Sequence, residues 1–336
     1  MVPVVKSLLT LFGVVFLSNS VNAATNYQGL WILGDSYSDR RNAHISSMGF
    51  VVPAADGYDD GRWSNGPMWV EHLASHLGLP EPAPGFNTNF SAGNNLAVGG
   101  AKTGTGNSLG PAWDNTGMLA QLNNGFLPFY SNPATNGDDL FVIFGGGNDS
   151  QDWNPLDASS LNNVVSNAMS NLDGIVRSLY NVGARSFMMP NLPGYSVFGT
   201  VNPQPNLTTE YADAFNPAHA AMVASLRNDL NDIVIYEVDF ESLFDEIVDD
   251  PTSFGLSNVS APCLDYSAGF VLQSACGNPE DYLLFDTVHP TAAAHQFMGD
   301  AAIASLQPIP VPGVAPLMAI FAIGMAHYRR GRVRLV

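Results

Sequence analysis

The sequence contains few basic residues. Of its 336 residues, 12 are Lys or Arg and 30 are Asp or Glu, which gives a formal net charge of -18. Five of the basic residues lie at the extreme ends of the chain, so the body carries 7 basic residues against 30 acidic ones, a net of -23. A surface this acidic repels phosphate backbones, which argues against nucleic acid as a partner.

Charged residues of both signs together make up only 12% of the chain, whereas hydrophobic residues make up 46%. Intrinsically disordered chains are poor in apolar residues, so this composition excludes disorder. The length suffices for one large domain or two modest ones, each with a substantial core. No internal repeat or charge block marks a linker between about residues 27 and 306. We therefore predict a single domain over residues 24–306.

Only two cysteines are present, Cys263 and Cys276, in a segment rich in Gly, Pro and Ser. Two cysteines alone make a poor metal site. A disulfide between them would close a loop of about 14 residues and stabilise the fold by roughly 3 kcal/mol in the chain-entropy model. We predict this disulfide, which agrees with folding in an oxidising compartment.

The amino-terminal residues 1–23 have the pattern of an export signal. Lys6 precedes an apolar run of about ten residues, Leu8–Leu17, and small residues follow as far as Ala23. This order is typical of a secretory signal peptide, with cleavage predicted after Ala23. The alternative is a buried amino-terminal helix.

No apolar run reaches the roughly 20 residues that span a bilayer. The longest candidate, Val314–Tyr328, is about 15 residues long and lies between a proline-rich spacer and an arginine-rich end, within residues 307–336. This arrangement resembles the PEP-CTERM class of bacterial sorting signals, although the usual glutamate between the prolines is absent. The alternative is a plain tail anchor, with its arginines on the cytoplasmic side. Either interpretation predicts an exported protein of the cell envelope or exterior, tethered to the membrane before or without processing.

Short apolar runs alternate with longer segments of helical periodicity along the domain. This alternation predicts a three-layer α/β/α sandwich around a five-stranded parallel sheet, with ligand sites at the carboxyl ends of the strands. The predicted strands are Leu30–Leu33, Leu96–Val98, Leu140–Phe144, Ser186–Met189 and Ile233–Tyr236. The predicted helices are Met68–Leu77, Met118–Phe129, Leu161–Tyr180, Glu210–Leu230 and Ala292–Leu306.

Three of the strands end in segments with chemically useful residues. Gly34-Asp35-Ser36 follows the first strand, where a serine can project into the crevice; the alternative is a helix N-cap. Gly99-Gly100 follows the second strand, where a backbone N–H can donate to a ligand; the alternative is a plain tight turn. Gly147-Asn148-Asp149 follows the third, and the Asn148 amide can donate to developing negative charge; the alternative is an Asx turn.

A fourth segment, Asp286-Thr287-Val288-His289, precedes the last predicted helix. Asp286 and His289, three residues apart on a loop, can face each other. The carboxylate then fixes the imidazole tautomer and leaves the second ring nitrogen free for a serine. Alone, this spacing is weak evidence for a catalytic pair, and a helix N-cap beside a surface histidine is the alternative.

Together, in this order, the four segments resemble the GDSL family of lipases and esterases, also called SGNH hydrolases. The segments Gly61–Pro67 and Tyr282–Asp286 are similar to the secreted lecithinase/hemolysin-like branch of that family. The resemblance covers about residues 28–306. One departure follows the serine, where Arg40-Arg41 replaces the Thr-Gly that is often seen and alters the expected entrance to the site.

The resemblance implies an exported serine esterase or lipase with the SGNH hydrolase fold and with no metal or cofactor. Ser36 would be the nucleophile, His289 the general base and acid, and Asp286 the residue that orients His289. The oxyanion hole would consist of the backbone N–H groups of Ser36 and Gly100 and the side-chain amide of Asn148, with Gly99 as the neighbour that could replace Gly100.

The substrate class stays open at this point. A lipid or short-acyl ester is the preferred substrate, an acetylated polysaccharide is the alternative, and acyl transfer to an alcohol is a third possibility. From a different class, the chain could be a non-catalytic surface or matrix protein that retains the fold. A calcium loop beginning at Asp56 is rejected because Tyr58 stands at its third position and Pro67 at its twelfth.

Overall fold

The computed structural model describes residues 26–85, 93–130, 137–194, 208–266 and 271–307. The predicted signal peptide, residues 1–23, and residues 308–336 of the predicted sorting segment lie outside these ranges, so both stay predictions. In the described ranges, no helix is both long enough and apolar enough to cross a membrane.

The centre of the molecule is a parallel sheet of four strands, which are neighbours in chain order. They are β1 (Gly29–Gly34), β2 (Asp139–Phe144), β3 (Ser186–Pro190) and β4 (Val234–Val238). All residues of β2 and β3 are buried, as expected for a parallel sheet covered on both faces. The structure therefore confirms the α/β fold class and four of the five predicted strands.

The prediction of a fifth strand over residues 96–98 is wrong. This segment runs beside β1 and donates two backbone hydrogen bonds to it, of 2.7 and 3.2 Å, but the pairing is only an isolated bridge between Ile32 and Asn95. Its outward carbonyls, those of Asn95 and Ala97, accept from the side-chain amide of Asn42 at 2.9 and 2.7 Å. The backbone of Asn95 also donates to the carbonyl of Ala83 at 2.9 Å and accepts from the N–H of Gly85 at 2.7 Å. One side-chain amide and an isolated backbone bridge, in place of a regular strand, therefore cover this edge of the sheet.

Two groups of helices cover the sheet. In one, Trp69–His76 and Phe240–Asp249 pack against Ala292–Ser305; in the other, Ser160–Asn181 packs against Thr209–Asp229 and Met118–Ala120. The helix Ser160–Asn181 buries the apolar stripe that its sequence predicts, from Val164 to Leu179. The bounds of the described α-helices are Asn42–Ser46, Trp69–His76, Met118–Ala120, Leu127–Tyr130, Ser160–Asn181, Thr209–Asp229, Phe240–Asp249 and Ala292–Ser305.

Two helical segments differ from the prediction. The helix predicted over Met118–Phe129 contains a π-helical turn, Gln121–Phe126, between two short α-helical pieces. Such turns are frequent at functional sites. The helix Phe240–Asp249 was missed; it begins where the Asp239 carboxylate accepts from the backbone N–H of Ser242.

A small satellite unit packs beside the main core. It contains the parallel pair β5 (Asn258–Pro262) and β8 (Tyr282–Leu284), and the antiparallel pair β6 (Leu264–Asp265) and β7 (Ser274–Ala275). A disulfide joins Cys263 to Cys276 at the base of the β6–β7 pair. Its own apolar cluster consists of Val52, Tyr58, Cys263, Leu264 and Phe285.

Candidate active site

Ser36 lies in a tight turn directly after β1. A Cβ atom at Gly34 would lie 2.4 Å from the carbonyl oxygen of Phe144 on β2, so only glycine fits where the two strands end. The Asp35 carboxylate accepts from the backbone N–H of Tyr37 at 3.1 Å, and this bond shapes the turn. Ser36 itself is buried to 7% exposure. The turn therefore holds the serine side chain at the carboxyl edge of the sheet.

Gln121 fixes this turn from the π-helical segment. Its amide group donates to the carbonyl of Gly34 at 2.8 Å, and its carbonyl oxygen accepts from the N–H of Gly34 at 2.9 Å. The residue is fully buried. Sequence reasoning missed Gln121, although a polar residue on the apolar side of a predicted helix is a signal that could have found it.

Asp286 and His289 form a buried pair on the loop after β8. The ring nitrogen Nδ1 of His289 lies 2.8 Å from Oδ1 and 2.7 Å from Oδ2 of Asp286. The backbone N–H groups of Val288 and His289 donate to Oδ1 at 3.0 and 2.9 Å. Burial alone would raise the pKa of Asp286, but His289, Tyr58 and the N–H of Val288 outweigh it and hold that pKa below its ordinary value. Asp286 is thus an ionised carboxylate bound to an imidazole.

Both neighbours of Ser36 interact with the His289 loop. The hydroxyl of Tyr37 donates to the carbonyl of Val288 at 2.7 Å, and the Tyr37 and His289 rings have centroids 6.1 Å apart. Burial raises the pKa of Asp35 to about 7, while the N–H of Tyr37 and the nearby His289 act in the opposite direction. The structure therefore brings the serine turn and the carboxylate–histidine pair together, although they are about 250 residues apart in sequence.

Trp63 also packs against the imidazole. Its ring centroid lies 4.7 Å from that of His289, with the planes tilted by 40°. Its indole N–H donates to the Asp39 carboxylate at 3.2 Å. Asp39 also accepts from the N–H of Gly99 at 2.7 Å. One buried carboxylate therefore connects the segment after Ser36, the glycine turn and the ring that packs on His289.

The geometry distinguishes Gly100 from Gly99. The N–H of Gly99 is already bound to Asp39, whereas the N–H groups of Ser36 and Gly100 have no hydrogen-bond partner in the described ranges. Gly100 has φ +77°, and a Cβ atom there would lie 2.4 Å from Oδ1 of Asn107. A glycine is therefore required at position 100, both by the left-handed backbone and by the close neighbour.

Asn148 presents its amide to the serine turn. The NH₂ group donates to the carbonyl of Ala101 at 3.2 Å and to the Asp35 carboxylate at 3.3 Å. Its carbonyl oxygen accepts from the hydroxyl of Ser108 at 2.9 Å. Because a backbone carbonyl can only accept, the bond to Ala101 fixes which end of the amide faces the turn.

The neighbouring Asp149 anchors the same segment. Its carboxylate accepts from the backbone N–H and the hydroxyl of Thr103, at 2.9 and 2.5 Å. Burial raises the pKa of Asp149 to about 6, even though both Thr103 bonds lower it. The serine turn, the segment after Gly99-Gly100 and the segment Gly147–Asp149 thus meet at one edge of the sheet and are held there by buried hydrogen bonds.

The two arginines after the serine, Arg40 and Arg41, belong to a network of ion pairs. Arg40 pairs with Glu71 and Glu81 at 3.2 and 2.5 Å, and Arg41 pairs with Asp60 at 3.4 Å. Arg62 binds the same Glu71 at 2.7 Å. Burial would raise the pKa of Glu71, but Arg62 and further donors bring it to about 2. Arg40 therefore anchors a structural ion cluster.

Within the described ranges, no group of three or more His, Cys, Asp or Glu side chains is placed to hold a metal ion. The prediction that the site uses no metal or cofactor stays a prediction. Mechanistically, the described groups can supply a hydroxyl, an imidazole backed by a carboxylate, and several N–H donors. The fold and site define a class: a three-layer α/β protein with hydrolase chemistry at the carboxyl ends of its parallel strands.

The chain is similar to several known proteins. The lipase Lip_vut3 from a goat rumen metagenome is 15% identical, covering 83% of this chain and 99% of that one, with a TM-score of 0.44. A phosphatidylcholine-sterol acyltransferase of Aeromonas hydrophila is 26% identical over 79% of this chain and 74% of its own. A GDSL esterase/lipase of Arabidopsis thaliana is 24% identical over 91% and 93%. A thermolabile hemolysin of Vibrio parahaemolyticus is 26% identical over 81% and 62%.

The family model of the GDSL-like lipases and acylhydrolases matches residues 30–302. The chain belongs to this family, and the resemblance inferred from the four segments is confirmed at the family level. It is accordingly an ester-hydrolysing enzyme with the SGNH hydrolase fold.

Proposed function

We propose that the protein hydrolyses carboxylic esters with Ser36 as the nucleophile. The observation that carries this proposal is the buried Asp286–His289 pair, with Nδ1 2.7 Å from the carboxylate, on a loop whose Val288 carbonyl accepts from the hydroxyl of Tyr37, the residue after Ser36. Nδ1 faces Asp286, so Nε2 is the nitrogen available to a serine hydroxyl. This is the arrangement that general-base activation of a serine requires.

The reaction follows from these positions. His289 Nε2 takes the proton of Ser36 as the oxygen forms a bond to the acyl carbon, and Asp286 stabilises the imidazolium. The protonated His289 then gives that proton to the leaving alcohol as its bond to the acyl carbon breaks. Water repeats the sequence on the acyl-enzyme, which releases the acid and regenerates Ser36.

We assign the oxyanion hole to the N–H groups of Ser36 and Gly100 and to the Asn148 amide. The two backbone donors have no protein partner in the described ranges, and Gly99 is unsuitable because its N–H is bound to Asp39. Donors fixed before the reaction stabilise developing negative charge without reorganising, which is usually the largest electrostatic contribution of such a site.

For the substrate, we favour a lipid or short-acyl ester. The support is similarity to the acyltransferase and the hemolysin named above, each 26% identical to this chain. Transfer of the acyl group to an alcohol is the second candidate, because an acyl-enzyme can be intercepted by an alcohol in place of water. Removal of acetyl groups from polysaccharides is the remaining alternative.

We further propose that the enzyme is exported and that residues 307–336 tether it to the membrane before or without processing. The support is the sequence pattern of residues 1–23 and of the carboxyl-terminal segment. Fractionation of cells that express the full chain tests this. Envelope or extracellular material whose amino terminus begins after Ala23 supports export, whereas uncleaved cytoplasmic protein contradicts it.

The experiment that tests the catalytic proposal combines labelling with a substrate series. A serine-reactive phosphonate should modify the protein once, at Ser36 by peptide mapping, and labelling should abolish hydrolysis of p-nitrophenyl esters. Rates from acetyl to palmitoyl then separate short-acyl from lipid preference. A folded protein that is neither labelled nor active on these esters or on acetylated polysaccharide would support the non-catalytic alternative.

A further inference from the structure

Tyr58 reaches the Asp286 carboxylate from a distant part of the chain. Its hydroxyl donates to Oδ2 of Asp286 at 2.6 Å, across a sequence separation of 228 residues. The other donors to this carboxylate are the His289 ring and two backbone N–H groups of the same loop. Tyr58 is therefore a contact that ties the carboxylate to a second structural element.

The chemistry of this contact allows one direction of donation. Burial and the neighbouring Asp286 raise the pKa of Tyr58 well above its ordinary value, so the phenol keeps its proton at any pH at which an ester hydrolase works. Asp286 is ionised, because its pKa lies below the ordinary value. A neutral hydroxyl that donates to a buried carboxylate forms a charge-assisted hydrogen bond, which is among the stronger kinds in proteins.

The satellite unit holds Tyr58 in place. The side chain is 7% exposed, and its ring packs edge-on against Phe285 with centroids 5.2 Å apart. Tyr266 lies beside it in the same apolar cluster and donates its own hydroxyl to Asp56 at 2.9 Å. The Cys263–Cys276 disulfide joins the two ends of the β6–β7 pair, and Tyr266 directly follows β6. The position of the Tyr58 hydroxyl is thus fixed by the packing of its ring within the disulfide-linked satellite unit.

We propose that Tyr58 is a positioning residue of the ester hydrolysis proposed above: its hydroxyl fixes Oδ2 of Asp286 so that the carboxylate faces Nδ1 of His289. The inference rests on the proposed function. Tyr58 lies outside the four segments selected from the sequence, so the inference gives the satellite unit a role in catalysis. Tyr58 acts through Asp286 and need not touch the substrate.

Loss of the hydroxyl should change the basicity of the imidazole. Without the Tyr58 donor, more negative charge on Asp286 is left to stabilise the charged form of His289. The other titratable groups that interact with this pair are Tyr266 of the satellite unit, Asp35 and Tyr37 beside Ser36, and His295 on the helix Ala292–Ser305; Tyr58→Phe leaves all four in place. The acid limb of the profile of kcat/KM against pH reports the free-enzyme base, so it should move to higher pH.

The test compares Tyr58→Phe with Tyr27→Phe. Tyr27 is also 7% exposed and also loses a hydroxyl hydrogen bond, 2.9 Å to Tyr236, but it lies just before the amino end of β1. Rates on p-nitrophenyl acetate are normalised to active sites titrated with a phosphonate. Tyr58→Phe should lower kcat on the order of 10-fold, with KM nearly unchanged, and should shift the acid limb to higher pH. Tyr27→Phe should do neither.

The outcomes separate the two proposals. If the wild type is inactive, or is active without modification at Ser36, the proposed function fails and Tyr58 has no reaction to assist. If the wild type depends on Ser36 but Tyr58→Phe matches Tyr27→Phe in kcat and pH profile, only the positioning role is overturned.

A second measurement serves in case Tyr58→Phe does not fold. A crystal structure of the wild-type protein should place the Tyr58 hydroxyl within hydrogen-bond distance of Oδ2 of Asp286. A hydroxyl turned away from Asp286, with the Asp286–His289 bond intact, would overturn the proposal independently of any variant.

Discussion

At the scale of single residues, the hydrogen bonds within the protein determine which donors remain available to a substrate. The Asp39 carboxylate accepts a hydrogen bond from the N–H of Gly99, so the N–H of Gly100 is the donor that remains at that turn. Ala101 accepts from Asn148 and so fixes the orientation of its amide. These details favour Gly100 over Gly99 as the backbone donor of the proposed oxyanion hole. The sequence alone could not decide it, because the two glycines are adjacent and identical.

The assignment of Gly100 can be tested with a matched glycine. Gly100→Ala should lower kcat on the order of 100-fold, because a Cβ atom 2.4 Å from Asn107 must displace the turn that carries the donor. Gly78 has a similar φ of +68°, but a Cβ atom there would meet nothing within 4 Å. Gly78→Ala should therefore keep the wild-type kcat and lose about 1 kcal/mol of stability. Equal rates for the two variants would remove Gly100 from the oxyanion hole.

The raised pKa of Asp35 predicts that the wild-type protein and an Asp35→Asn variant differ in stability by an amount that depends on pH. Its pKa in the folded protein is raised to about 7 from an ordinary value of 3.8, mainly by burial. The folded state therefore binds this proton more tightly than the unfolded state, and stability is lost as the pH rises through the folded-state pKa. Asp35→Asn removes this titration. The free energy of unfolding of the variant relative to wild type should rise between pH 5 and pH 8, by at most on the order of 3 kcal/mol.

Urea unfolding of both proteins at several pH values measures this difference. A difference that is constant with pH would show that Asp35 titrates normally in the folded protein. A difference that falls with pH would show that its pKa is lowered.

At the scale of elements, periodicity in the sequence was sufficient where an element packs along its whole length. The stripe of Ser160–Asn181 and the buried runs of β2 and β3 were recovered because apolar spacing and burial agree there. The same reasoning failed where side-chain amides replace backbone pairing. The Asn42 amide binds the carbonyls of Asn95 and Ala97 at the edge of the sheet, and the Gln121 amide reaches Gly34 from a π-helical turn. Local propensity contains no information on such long-range partners.

Gln121 gives a prediction at this scale. Gln121→Met keeps the length of the side chain but removes both hydrogen bonds to Gly34, so it should lower kcat/KM roughly 10-fold and the free energy of unfolding by about 2 kcal/mol. Asn123→Met, on an exposed position of the same turn, is the control and should leave both unchanged within about 0.5 kcal/mol. Ester hydrolysis and urea unfolding measure the two quantities. A Gln121→Met variant with wild-type activity and stability would contradict the role assigned to the hydrogen bonds between Gln121 and Gly34.

At the scale of the whole molecule, the order of the strands explains why distant segments meet. The chain leaves β1, passes the edge segment 95–98 on one side, and returns to form β2 on the other side of β1. Ligand sites of open parallel sheets lie where the strand order reverses, and Ser36 and Asn148 follow the two strands that flank this point. The four sequence segments could therefore be assigned to one site before the fold was known. Tyr58 could not, because it belongs to the satellite unit, whose packing no motif records.

The central claim is that Ser36 is the nucleophile, and two neighbouring serines test it most directly. Ser38 is fully buried, and its hydroxyl has no partner in the described part of the chain, so Ser38→Ala should retain activity within a few-fold. Ser36→Ala should lose on the order of 10⁴-fold or more in kcat on the best p-nitrophenyl ester. Wild-type-like hydrolysis by a folded Ser36→Ala variant would contradict the account.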